Sequence, residues 1–122
     1  MSFQDVLDFW FNELEQKQWY VKDQKLDHLI ASRFGKTHRA AAHCELSQWR
    51  STLPGRLAEI IVLDQFSRNM YRDQPEAFAN DPMALTLSQE AIRHCDVTSI
   101  TPMERSFLYV PFMHSESLVT HE

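Results

Sequence analysis

Between Pro54 and Phe66 the chain carries Leu57, Ala58, Ile60, Ile61, Val62, Leu63 and Phe66. On a helix of 3.6 residues per turn these positions cover nearly every side. A helix that is apolar all round has no face to give to water, so other elements must wrap around it. Those elements are helical too. Two glycines and five prolines are too few for the turns of a many-stranded sandwich, and no convincing alternation of apolar and polar residues marks a strand. The expected class is all-α, with about five to six helices and no sheet. A chain of 122 residues suits one core, so residues 1–122 read as a single all-α domain.

Start signals place the surrounding helices. Ser2 with Asp5 opens a first helix on which Phe3, Val6, Leu7, Trp10, Phe11 and Leu14 recur at helical spacing. Asp23 caps a second, with Leu26, Leu29, Ile30 and Phe34, and the strong helix formers of Lys36 to Glu45 carry it past one costly glycine, Gly35. Leu46 to Leu53 reads as a connection anchored by Trp49, and Pro54 sits in the first turn of the apolar helix. Asp81-Pro82 opens a fourth helix, and Thr101-Pro102-Met103-Glu104 has the spacing of a capping box for a fifth. Pro111 within that last helix predicts a bend that re-aims His114 and the residues beyond it, with Ser115 available to cap a new helix.

Composition removes several function classes. A net charge of −5 without a run of Lys or Arg gives no phosphate-tracking face, so nucleic acid is not an expected partner. The longest strongly apolar stretch, Leu57 to Leu63, contains Glu59 and is far short of a span. The start Met1-Ser2-Phe3 lacks a cationic leader region, and the reading is cytoplasmic. No Gly-rich cradle and no common catalytic signature is present, and no cofactor is expected. His43-Cys44 and His94-Cys95 suggest paired metal ligands, but helical neighbours point about 100° apart. They read instead as helix ends, with His on the last carbonyls and Cys in the core, and no metal is expected.

Two polar groups could carry chemistry. The apolar helix ends in Asp64-Gln65-Phe66-Ser67-Arg68-Asn69-Met70-Tyr71-Arg72. If the helix persists, Asp64, Arg68 and Arg72 form one i, i+4 stripe and Gln65 with Asn69 a second. So close to a core, such groups must be paired. They are either a network tying helices together or an anion site with Arg68 and Arg72 as forks. The second group, His114 and Glu116 beyond Pro111, suits acid–base work if the chain turns there.

Leu57 to Asn69 resembles the hallmark segment of the bacterial DUF924 family, and Glu104 to Glu116 its second segment. Phe9-Trp10-Phe11, Asp27, Phe34, Trp49 and Phe78 with Asp81 also fall where that family's pattern places them. The resemblance implies a TPR-like superhelix of antiparallel helix pairs. It assigns no substrate, and no role to Asp64, Gln65, Arg68, Asn69, Arg72, His114 or Glu116. Members of that family continue for several more helices, so the resemblance implies that this chain lacks a C-terminal part. A second copy is then expected to cover the central helix and the helix from Pro102.

Two functions emerge as expectations. One is a helical module whose groove, lined by Trp10, Trp49 and Tyr71, holds a peptide or protein partner. The other is a small-molecule or anion-binding enzyme, a hydrolase in one form, that uses Asp64, Arg68 and Arg72 with His114 and Glu116 and takes His114 as general base.

Overall fold

The structure, a computed structural model, describes the backbone of residues 1–121 and the side chains of residues 1–115. It contains six α-helical segments: α1 (Phe3–Asp8), α2 (Gln24–Ala42), α3 (Leu53–Ile61), α4 (Ser67–Met70), α5 (Asp81–His94) and α6 (Pro102–His121). No strand occurs among the described residues. α1 continues into a π-helical turn at Phe9–Glu13, and α3 passes through another at Val62–Phe66 into α4. Leu53 to Met70 is therefore one rod, and α1, α2, α5 and α6 pack around it.

The start signals form as chemistry requires. Asp5 accepts the Ser2 amide at 2.9 Å, and Asp23 Oδ1 accepts Lys25 and Leu26 amides at 3.0 and 3.3 Å. Thr101 and Glu104 complete a reciprocal box, at 2.8 Å to the Thr101 amide and 3.1 Å to the Glu104 amide. Each satisfies donors that a helix start leaves open, typically contributing about 1 kcal/mol. Thr52 caps α3 through the Gly55 amide at 3.3 Å. Gly55 is required here: a Cβ would stand 1.9 Å from the Trp49 carbonyl oxygen, in the short 3₁₀ segment Ser47–Ser51. Gly35 sits inside α2, where a Cβ would meet nothing closer than Arg39 Nη1 at 3.8 Å.

The all-round apolar helix is the centre of the core. Leu57, Ala58, Ile60, Ile61, Val62, Leu63 and Phe66 are all fully buried. Phe9, Trp10, Phe34 and Phe107 complete an aromatic interior, with Phe9, Phe34 and Phe66 rings 5.0–6.1 Å apart. Glu59 is also fully buried, and Arg50 answers it from the 3₁₀ segment with a two-pronged bond at 2.8 and 2.7 Å. A carboxylate there demands such a partner, because an unpaired buried charge costs several kcal/mol. The π turn at Phe9–Glu13 closes through the Leu14 amide on the Phe9 carbonyl at 3.1 Å. The Trp10 carbonyl accepts the Trp19 indole N–H at 2.9 Å.

Several expectations change. α2 ends at Ala42, earlier than Glu45, because Cys44 adopts a left-handed turn at φ 61°. That turn leaves Cys44 exposed, contrary to a core role, while His43 Nδ1 bonds the Arg39 carbonyl at 2.7 Å as its position suggested. His94 pairs with Glu90 at 2.9 Å rather than with a carbonyl. The chain stays helical through Pro111 to His121, so no new helix begins at Ser115. Trp10 is buried and cannot line a groove. The central helix needs no second copy to cover it, since its own neighbours bury it.

Candidate functional site

The polar end of the central rod distributes its side chains among three other helices. Asp64, 1% exposed, lies within the π turn. An i→i+5 turn fits an extra residue into the helix and so re-aims the side chains around it. Asp64 Oδ1 meets His114 Nδ1 at 2.8 Å and Arg68 Nη1 at 3.3 Å, while Oδ2 accepts the Gln65 amide at 2.9 Å. The polar segment and the His-Ser-Glu segment, fifty residues apart, therefore meet through one carboxylate.

Arg68 reaches across to α5. Its Nη1 and Nη2 each donate to an Asp81 oxygen at 2.9 Å, and Nη1 also donates to the Asp64 carbonyl at 3.0 Å. Asp81 is the first residue of α5, where the positive end of the helix favours a carboxylate. Phe78 covers the guanidinium, 5.3 Å from ring centre to Cζ. The bidentate geometry fixes the angle between the central rod and α5 as well as binding them.

Arg72 departs from the expected stripe. The helix stops at Met70, and Tyr71 leaves helical geometry, so Arg72 turns toward α2 and not along Asp64 and Arg68. Its Nε and Nη2 donate to Asp27 at 2.7 and 3.0 Å, and the Asn69 amide adds a third donor at 2.9 Å. These bonds lower the Asp27 pKa against the opposing desolvation of burial, which is the largest single influence on it, and they raise that of Arg72. Gln65 and Asn69, read as one stripe, serve different carboxylates. Ser67, missed as a site residue, is buried and bonds His38 Nε2 of α2 at 2.7 Å. Burial, and secondarily the Arg39 charge, holds the His38 pKa below its ordinary value.

Both guanidinium groups reserved for an anion thus hold carboxylates of the chain itself, Asp81 and Asp27. A faint signal pointed to Asp27: it lies between Leu26 and Ile30 on the buried side of α2, where a lone charge requires a partner. His114, with a side chain 29% exposed, is brought to Asp64. Glu116 lies outside the residues whose side chains are described. Chemically, the arrangement offers an imidazole oriented by a buried carboxylate. No group of three or more His, Cys, Asp or Glu near enough to hold an ion occurs among the described residues. No helix among them is long and apolar enough to cross a membrane.

Comparison with known proteins finds the same architecture elsewhere. The solved structure of a protein of unknown function from Agrobacterium tumefaciens is similar at a TM-score of 0.87 and 36% identity, over 92% of this chain and 63% of that one. This chain therefore spans less than two thirds of that protein's length. No curated protein matches. A family model described as a bacterial protein of unknown function, DUF924, matches residues 6–122. With that model matching residues 6–122 and the solved structure sharing the fold over 92% of the chain, this chain belongs to the DUF924 family.

Proposed function

We propose that the chain carries an acid–base site in which His114 acts as a general base oriented by Asp64, in an enzyme of hydrolytic type. The contact between His114 Nδ1 and Asp64 Oδ1, 2.8 Å long and made to a buried carboxylate, carries this reading. A carboxylate accepts, so the imidazole proton sits on Nδ1 and the Nε2 lone pair is left for a substrate or water. Gln65 and Arg68 hold the carboxylate in turn, which fixes the ring before anything binds. A general base contributes roughly 10²–10⁴-fold to rate. Turnover of p-nitrophenyl acetate and p-nitrophenyl phosphate by the full chain tests it. At least one ester should be hydrolysed, with loss of about 10²-fold or more in His114→Ala. Equal rates for wild type and His114→Ala on both esters would contradict it.

A second reading is favoured by α6: Tyr109 and Met113, one turn apart, are 40% and 61% exposed. They support docking of a peptide or protein partner on α6, and the reading takes the chain as a cytoplasmic helical module of TPR-like superhelical form. A partner captured by wild type and lost on Met113→Asp supports this reading. Capture of no partner by wild type opposes it.

A further inference from the structure

A guanidinium has two edges able to grip an oxyanion, and Arg68 and Arg72 use theirs differently. Arg68 spends its Nη1–Nη2 edge on Asp81. Arg72 gives Asp27 its Nε–Nη2 edge, and its Nη1 has no hydrogen-bond partner among the described residues. Arg72 lines an open polar cleft of about 560 Å³ together with Lys22 and His28 and the carboxylates Asp27 and Asp73. Its volume falls in the range of small-molecule sites, roughly 300–1,000 Å³.

Two cations, Lys22 and Arg72, face two carboxylates, Asp27 and Asp73, across the cleft. Asp27 already takes three donors on its two oxygens. Asp73 pairs with Lys22 at 3.1 Å, but both side chains are largely exposed, and such a pair contributes little. The Lys22 ammonium can therefore bridge a ligand while staying near Asp73, whose exposed carboxylate water solvates. Arg72 cannot wander, because Asp27 holds its plane and Asn69 holds Asp27. A preset guanidinium loses little freedom on binding.

We infer that this cleft binds a compact oxyanion, a carboxylate or phosphate carried by a small polar molecule, on the outer edge of Arg72 with Lys22 as second cation. The site uses neither His114 nor Asp64 and stands apart from the acid–base reading. Titration calorimetry of the full chain with sodium phosphate and sodium acetate, against sodium chloride at matched ionic strength, tests it. Saturable binding of one anion is expected, and which one binds names the group. Affinity should fall about tenfold in Arg72→Lys, which keeps the charge and loses the edge. It should fall about threefold in Lys22→Gln, whose exposed side chain leaves the fold untouched. His114→Ala should bind as wild type does. Neither anion binding saturably, or binding unchanged in Lys22→Gln and Arg72→Lys, would overturn the inference.

Discussion

Replacing Arg68 by alanine removes five N–H donors from a place where two carboxylates depend on them. Asp81 loses both of its 2.9 Å bonds, and Asp64 loses one side-chain and one carbonyl contact while keeping His114 and Gln65. Asp64 is almost wholly buried, so the stranded charges stand in a poorly solvated place. Breaking a buried pair from one side costs about 3–5 kcal/mol, and the 23% exposure of the Arg68 side chain selects the lower end. For a domain of this size, a loss of about 3 kcal/mol lowers Tm by roughly 10 °C. Thermal and urea unfolding followed by circular dichroism should show that drop with the urea m-value unchanged. Arg68→Lys should recover only part of it, because an ammonium cannot span both Asp81 oxygens. The combined Arg68→Ala, Asp81→Asn variant should be more stable than the sum of its parts by at least about 1 kcal/mol. A Tm for Arg68→Ala within about 3 °C of wild type, or simple additivity, would refute the clamp.

Gly55→Ala should prevent folding or cost more than about 4 kcal/mol, seen as loss of the cooperative urea transition, because the added Cβ lies 1.9 Å from a backbone oxygen. Gly35→Ala should do the opposite, raising stability by about 0.4–1 kcal/mol in the same assay, since its Cβ meets only ordinary contacts. The folded pKa of His38 lies below its unfolded value, so the folded state binds the proton less readily. Stability from this group is complete above an unfolded pKa of about 6.5 and falls as pH drops below it. The urea midpoint should therefore decline from about pH 7.5 to about pH 5.5, and the decline should shrink in His38→Gln.

Legibility in the sequence tracks the range of the interactions. Caps and the apolar rod are local, and Ser2, Asp23, Thr101 with Glu104, and Leu57 to Phe66 behave as their neighbours dictate. The π turns at Phe9–Glu13 and Val62–Phe66 have no glycine or proline within them to announce the change of helix type. The end of the rod at Met70 has neither glycine nor proline to announce it, and that stop sends Arg72 to Asp27. In the sequence Asp27 reads as a position of the family pattern and Asp81 as a helix start. Their partners lie 45 and 13 residues away, beyond what periodicity reports. The meeting of the two hallmark segments at Asp64 needed the tertiary structure.

The orientation of His114 can be read directly from the ¹⁵N chemical shifts of its ring in uniformly labelled protein at neutral pH, with Asp64→Asn as the comparison. A proton on Nδ1 and a bare Nε2 in wild type, with that preference lost in Asp64→Asn, is the result expected of a base held by a buried carboxylate. A rapidly exchanging mixture of tautomers in wild type, unchanged by the substitution, would contradict it.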